Sequence, residues 1–332
     1  MGVVHLWFQT KKAISPITKS FYALGTINTL TIYENKSENI LDEAIERVTA
    51  IENKMSAFKE DSDIARVNQN AGFSEQPVSA ETLFVVKKAV EAANQVPYSA
   101  DITIRPLVNL WNTYLQKSQI PPLSDINQTL SLVNFKDIKI NEKNQTIGLT
   151  REHQSIDLGS IAKGYAADEV KMLFTKHRVK NALINLGGNI LVMGNAPDGS
   201  PWKVGIQNPD KEQGTYMGTI ALNNKTVVTS GGYERFSVVE GKPYHHLLDP
   251  NTGYPSQSGI KSATIIAKHS IEADAFTTAL FIMGIQKAKT FLESKPHLDA
   301  ILLTDDNDVI LTKRIAHQFN ITDSSFKRFK KD

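Results

Sequence analysis

From about residue 133 onward the chain breaks into short β-rich runs, and this texture limits its possible folds more than any other feature. The runs are IKINEKNQTIGL, NALINLGGNILVMG, WKVGIQ, MGTIALNNKTVVTS, RFSVVEGKPYHHLL and KSATIIA. Only two helical stretches, about 161–177 and 272–293, interrupt them. The end, LDAILLTDDNDVILT, reads as a hairpin turning near Asp306 and Asn307. Strands and helices mix without strict βαβ alternation. That predicts an α+β (mixed α/β) fold, with mixed sheets flanked by helices, over a doubly wound parallel sheet.

The first third is more helical. Residues 21–33, FYALGTINTLTIY, read as one strand with a kink or bulge at Gly25. Ser37 can cap a helix over about 38–54, with Ile40, Leu41, Ala44, Ile45, Val48 and Ile51 at helical spacing. MSAFKEDSDIARVN gives a loop and a short helix. Ser79 caps a second long helix bearing Leu83, Val86, Val90 and Ala93 on one face. DITIRPLVNLW is a turn into an apolar segment, and Pro121-Pro122 marks a surface connection. The expected organisation is a single domain over 21–320. Residues 1–20 precede it as a leader remnant or tag and linker, because MGVVHLWFQT differs in texture from the polar stretch after it. A basic tail, 321–332, follows.

Composition narrows the function classes. The chain has no cysteine, which excludes disulfides, thiolate metal sites and cysteine nucleophiles. The net charge of +2 favours no charged partner. Nucleic-acid binding requires a basic stripe, and the dense one is Lys327, Arg328, Lys330 and Lys331, read as a solvated end. No run approaches the length of a membrane span.

Three stretches can carry chemistry. In IDLGSIAKGYAAD, residues 156–168, Asp157 sits among Ile156, Leu158 and Ile161 and needs a partner if buried. Gly159 and Ser160 turn the chain into a helix whose free N–H groups suit an anion. Lys163 and Asp168 are five residues apart and need not share a face. A plain capped helix with a surface lysine accounts for the same residues. In IEADAFTTALFIMG, residues 271–284, Asp274 and Thr278 lie four apart on one face of an apolar helix. Two hard oxygens suit Mg²⁺, which also takes phosphate oxygens; an acid helped by the helix dipole and a threonine bonded back to its own helix is the alternative. In SGGYERFSVVEGKPYHHLLDPNTGYP, residues 230–255, DPNTG is a turn in its own right. His246 ends a polar strand just before Leu247, where an imidazole can bond a phosphate or a ring, or serve packing alone. Smaller pieces are MSAF with Met55 and Phe58, YSADITIRPL with Asp101 and Thr103, and the glycine pair of INLGGN.

Taken in order, MSxF…SDIxxxN, DxTxxPLVNLW, DLGSIAKGYAAD, INLGGN, SGGYER…YHHLLDPNTG and ADAxxTALFxMG resemble the ApbE family of FAD:protein FMN transferases, from about Leu24 to Gly284. The resemblance implies a central flavin-binding cleft holding FAD and Mg²⁺. It implies transfer of FMN to a Thr (or Ser) hydroxyl of a target protein, with release of AMP; some relatives hydrolyse FAD to FMN and AMP. It assigns Asp274 and Thr278 as side-chain Mg²⁺ ligands and Ser160 as a backbone-carbonyl ligand. Asp157, Lys163, Leu24, Phe58, Ser99, Ala100, Asp101, His246 and Leu247 become flavin-nucleotide contacts. His246, with Asp274, is the catalytic candidate, although the general base is left open. Leu24 stands where the family usually has Met, Phe58 where Tyr is common, Ile102 where Pro is frequent, and Ser160 where Gly or Ala is. Many members are exported and lipid-anchored. The resemblance therefore implies an extracytoplasmic, cell-surface or periplasmic setting, with an exported electron-transfer flavoprotein as acceptor.

Overall fold

The computed structural model describes residues 15–97 and 99–329. The chain opens with β1 (Ile17–Ala23), β2 (Thr26–Ile32), α1 (Asn39–Met55), α2 (Asp63–Gln69), β3 (Gln76–Pro77) and α3 (Ala80–Gln95). It continues through α4 (Arg105–Leu115), α5 (Leu123–Leu130), β4 (Ile138–Asn141), β5 (Thr146–Leu149) and α6 (Ala162–Lys176). Then come β6 (Ala182–Leu186), β7 (Asn189–Met193), β8 (Trp202–Gln207), β9 (Tyr216–Leu222) and β10 (Thr226–Gly231). The hairpin β11 (Phe236–Val239) and β12 (Lys242–His245) precedes β13 (Ile260–Ala267) and α7 (Ser270–Ser294). The chain closes on β14 (Asp299–Thr304), β15 (Asp308–Leu311), β16 (Phe319–Ile321) and β17 (Lys327–Arg328).

Nine strands form one sheet in the order β1-β2-β6-β7-β10-β13-β14-β15-β17. Its pairings are antiparallel except β15 with β17. One main core joins the apolar faces of α1, α3, α6 and α7 to this sheet, with Leu30, Val48, Val86, Phe174, Ile184, Ile265 and Leu280 buried in it. A second core lies where β8, β9 and β16 pack, around Trp202, Ile220, Ile266 and Phe319. A third, smaller one collects Leu107, Trp111, Ile126 and Leu248 under α4 and α5. The mixed sheets and flanking helices are the α+β arrangement that the texture of the sequence predicts.

Some expectations are corrected. Residues 17–32 form a hairpin, not one kinked strand: Leu24 (φ 55°) and Gly25 (φ 70°) make its turn, and Ile17 already pairs with Ile32. Pairing therefore begins inside the stretch expected to be linker; the leader residues 1–14 lie outside the described residues. The basic tail is not simply solvated. Phe326 is buried, Lys327 and Arg328 pair with β15, and Arg328 donates to the carbonyls of Ala316 and Phe319. The expected cap at Ser79 holds, its side chain accepting from Thr82 N–H at the start of α3, whereas α1 starts from Glu38 without a side-chain cap and Ser37 accepts only the Asn39 N–H. No helix among the described residues is long and apolar enough to cross a membrane.

Candidate active site

The site is built on the seam between α6 and α7. Asp168 of α6 accepts the N–H groups of Ser270 and Ile271, at 2.9 and 3.0 Å, and so caps the start of α7. One turn earlier on α6, the Gly164 N–H donates to Asp274 Oδ2 at 2.8 Å. Side chains have no room between these points. A Cβ on Gly164 would lie 2.3 Å from the Ser270 carbonyl oxygen and 2.7 Å from Asp274 Cβ. The two helices are thus fixed in register by a cap and a close approach.

This register explains how Asp274 is tolerated. It is the fifth residue of α7 and is buried, so desolvation raises its pKa while Lys163 and the Gly164 N–H pull it back. Its partner N–H belongs to the first turn of α6, where the backbone donors lack helical acceptors and the dipole favours an anion. Oδ1 receives no hydrogen bond from the described residues. Thr278, one turn on, keeps its hydroxyl away from its own helix: it meets the Ser230 hydroxyl at 3.2 Å. Its neighbour Thr277 is the one that bonds back, to the Ala273 carbonyl at 2.5 Å.

Ser160 completes the set. Ser160 lies before α6, and the Gly164 N–H, in the first turn of that helix, goes to Asp274 and not to the Ser160 carbonyl. Ser160 lines a small cavity together with Ala100, Asp101 and Ala275, next to Asp274 in sequence. No cluster of three or more His, Asp or Glu occurs among the described residues. One carboxylate, one hydroxyl and one carbonyl make a sparse oxygen set. Such a set suits a cation that keeps waters and takes further oxygens from a phosphorylated ligand.

His246 stands at the root of the β11–β12 hairpin. Its N–H and its Nδ1 both reach the Arg235 carbonyl, each at 3.1 Å. A carbonyl only accepts, so Nδ1 carries the proton and the Nε2 lone pair is free. Desolvation first, then the Arg235, His245 and Lys163 charges, lower the imidazole pKa to about 4 against the raising effect of the bond to the Arg235 carbonyl. His246 is exposed as a residue, and its Nε2 has no hydrogen-bond partner among the described residues. Glu234, in the same SGGYER stretch, was not singled out from sequence. The protein around it raises its pKa, Lys163 and Arg235 draw it down, and Asp274 opposes them. Glu234 is exposed, and the charges of Lys163 and Asp274 act on it, so the three groups lie near one another.

The remaining residues divide into two groups. Phe58 is 78% exposed, and the Arg105 guanidinium lies 4.3 Å from its ring centre. Arg105 also donates to Asp157 Oδ2 at 2.9 Å and to the Ala57 carbonyl. Asp157 Oδ1 accepts the Gly159 N–H, which shapes the turn into α6. Arg105 thereby ties the Phe58 loop to the IDLGS turn, a role its place beside Pro106 did not signal. Lys163 has only a long bond, 3.4 Å, to the Gly159 carbonyl, and its ammonium is available. Leu24 sits in the β1–β2 turn, its N–H held by Glu52 at 2.8 Å. Ser99 and Ala100 lead into Asp101, and Ser99 is buried. Two expected contacts also have partners within the fold. Asp101 accepts from the N–H and hydroxyl of Thr103 and from the Phe135 N–H. The Leu247 side chain is buried in the main core, and its N–H and carbonyl bond His245 and Ser256.

Sequence and fold are similar to those of known proteins. The chain is 32% identical to the FAD:protein FMN transferase of Klebsiella pneumoniae (strain 342) over 305 residues, covering 92% of this chain and 94% of that one. It is 29% identical to the FAD:protein FMN transferase of Treponema pallidum (strain Nichols), over 91% of this chain and 88% of the other. Among solved structures, the ApbE protein of Thermotoga maritima superposes with a TM-score of 0.84 at 27% identity, over 92% and 99% of the two chains. The apo flavinyl transferase ApbE of Pseudomonas stutzeri shares the fold, with a TM-score of 0.80 at 24% identity over 92% and 96%. The sequence pattern of the ApbE family matches residues 24–302, which include the Gly164–Asp274 seam and His246, and the chain belongs to the ApbE family.

Proposed function

We propose that this protein transfers the FMN half of FAD to a Thr (or Ser) hydroxyl of an acceptor protein, forming a phosphoester and releasing AMP. One observation carries the reading: the buried acid Asp274, with Thr278 one turn on along α7, is held by the Gly164 N–H in the first turn of α6, next to the turn that carries Ser160. Storage of a flavin needs no such oxygen set. The relatives named FAD:protein FMN transferase support the same reading over nearly their full length.

Asp274, Thr278 and the Ser160 carbonyl are the residues to hold Mg²⁺, which supplies neutralisation of charge on the pyrophosphate. Lys163, reaching the same cleft as Asp274, adds a second positive charge for the phosphates. His246, neutral and with Nε2 free, takes the proton of the acceptor hydroxyl. That oxygen forms its bond to the phosphorus on the riboflavin side as the bond to AMP breaks. Positioning and charge neutralisation carry most of such a reaction. Phe58, stacked on Arg105, and Leu24 offer apolar surface for the ring system.

Incubation with FAD, Mg²⁺ and a Thr-containing acceptor, followed by mass measurement of the acceptor, tests the reading. A gain of one FMN with release of AMP is expected from the wild type and none from Asp274→Ala. Free FMN and AMP with an unmodified acceptor would assign a pyrophosphatase, and no turnover a carrier. The reading extends to an extracytoplasmic, lipid-anchored setting with an exported electron-transfer flavoprotein as acceptor, supported by the resemblance to exported members. Cell fractionation followed by detection of covalent flavin checks that extension.

A further inference from the structure

Beside the cleft stands a surface that neither the metal set nor the flavin contacts use. The hairpin β11–β12 forms a sheet of two strands that pair with nothing else. Its register sets Phe236 opposite His245 and Val238 opposite Pro243. Residues two apart share a face, so Phe236, Val238, Pro243 and His245 lie on one side. The other side anchors the hairpin: Val239 is buried, and Tyr244 stacks on Trp111 with ring centres 5.7 Å apart. On the first side only the root is held, where His245 packs edge-on against Phe281 of α7 and bonds the Ser256 carbonyl; beside and beyond it Phe236 is 55% and Val238 57% exposed.

Position makes this strip more than a scatter of surface apolar groups. Phe236 directly follows Arg235, whose carbonyl holds His246 Nδ1. Glu234, one residue further back, feels the charges of Asp274 and Lys163. The strip therefore starts at the reacting end of the cleft and runs outward, with Val238 about 7 Å beyond Phe236 along the strand. The outer edge of β11 also carries backbone groups with no neighbouring strand, which an extended chain can pair with.

We propose that this face of β11–β12 seats the acceptor polypeptide, binding apolar residues that flank the hydroxyl to be modified. The proposal rests on the protein-acceptor reading above. A hydroxyl delivered to His246 Nε2 brings its own backbone past Arg235 and onto Phe236. An extended segment laid along β11 places every second side chain on the Phe236–Val238 strip. The occupant is a stretched, locally apolar segment, and flavin affinity is independent of it.

A displayed library of 13-residue peptides with one central Thr, treated with wild-type enzyme, FAD and Mg²⁺ and selected for covalent flavin, tests this. We expect enrichment of apolar residues at alternate positions on one side of the Thr. For an enriched peptide, the Phe236→Ser/Val238→Ser variant should lose at least about tenfold in kcat/KM through KM, as expected for lost apolar anchors. Its FAD affinity, read by flavin fluorescence quenching, and its melting temperature should match the wild type. Enrichment without apolar flanks, or an unchanged KM in the variant, would overturn the docking proposal alone. Weakened FAD binding would assign the strip to the flavin, and loss of a wild-type dimer in sedimentation to a second copy; each overturns it too. A library with no flavinylated member while FAD is cleaved would remove the protein acceptor, and the proposed function with it.

Discussion

The α6–α7 seam and the β11–β12 hairpin are built by opposite means. The seam is closed. It has a glycine with no room for a methyl group, a carboxylate capping a helix in another part of the chain, and a buried acid held by one N–H. The hairpin is open beyond its root: Val239 and Tyr244 anchor one side, and on the other only His245 packs, leaving Phe236 and Val238 exposed. Under the proposed function and docking, the contrast follows from the tasks. A cation ligand must sit within a fraction of an ångström of its place, and only dense packing fixes it so. A surface meeting a second protein needs accessible apolar groups.

The largest test of this contrast is Gly164→Ala. Overpacking a tight contact costs about 1–3 kcal/mol, and here the methyl group meets backbone instead of a flexible side chain. The helices must separate, which moves Asp274 and removes its N–H partner. We expect loss of transfer and of Mg²⁺ binding, with a lower midpoint in denaturant titration. If Gly164→Ala kept wild-type affinity for Mg²⁺ by calorimetry, the seam would not set the position of Asp274.

Next in size is Asp168→Ala. It leaves the Ser270 and Ile271 N–H groups without their acceptor and costs about 1–2 kcal/mol, as for other lost caps. Because both Asp168 oxygens are taken by the first N–H groups of α7, its effect on chemistry should pass through the register of that helix. Mg²⁺ affinity should fall while affinity for FAD measured without metal holds. Asp168→Asn, which keeps one acceptor oxygen, should recover part of the loss. Equal weakening of both affinities would make Asp168 a general stabiliser only.

What the sequence reveals of these two regions differs for a physical reason. Asp274 and Thr278 are legible because helical spacing alone puts them on one face. The cap at Ser79 and the β14–β15 turn at Asn307 are local and legible as well. Gly164 and Asp168 are not. Their partners lie 110 and 102 residues away, and no local pattern records such contacts. The observation that Lys163 and Asp168 need not share a face was correct, yet it could not say that one reaches the cleft while the other caps α7. The β1–β2 turn was missed because Leu24 takes a left-handed conformation that glycine or asparagine normally signals. Asp101 and Leu247 match the family pattern in sequence, but the side-chain oxygens of Asp101 and the side chain and backbone of Leu247 have partners within the fold.

A third, moderate effect concerns His246 at the root of the hairpin. Its pKa is lowered to about 4 from an ordinary 6.5. The folded protein thus binds this proton more weakly than the unfolded chain. The linked stability is complete above 6.5 and is lost as pH falls through 6.5 toward about 4. The acid limb of kcat/KM should likewise lie below the ordinary histidine range, and His246→Ala should remove it along with most of the rate. An acid limb near 6.5 would place His246 in bulk water and blur the distinction between a shielded root and an open strip.

The smallest expected effect is at the rim, where Arg105 covers Phe58. Arg105→Ala removes a cation–π contact worth about 0.5–1 kcal/mol at an exposed site, together with the bonds to Asp157 and Ala57. The main core and the seam do not depend on it, so the melting temperature should move little. The Phe58 loop and the IDLGS turn would lose their link, and FAD affinity should weaken by a few-fold, the equivalent of about 1 kcal/mol. Arg105→Lys keeps the charge but not the planar fork, and should recover less than half of that loss. If Arg105→Ala instead abolished Mg²⁺ binding, the rim would be part of the seam. The division between a closed metal side and an open ligand side would then have to be redrawn with Arg105 and Asp157 among the residues that fix Ser160.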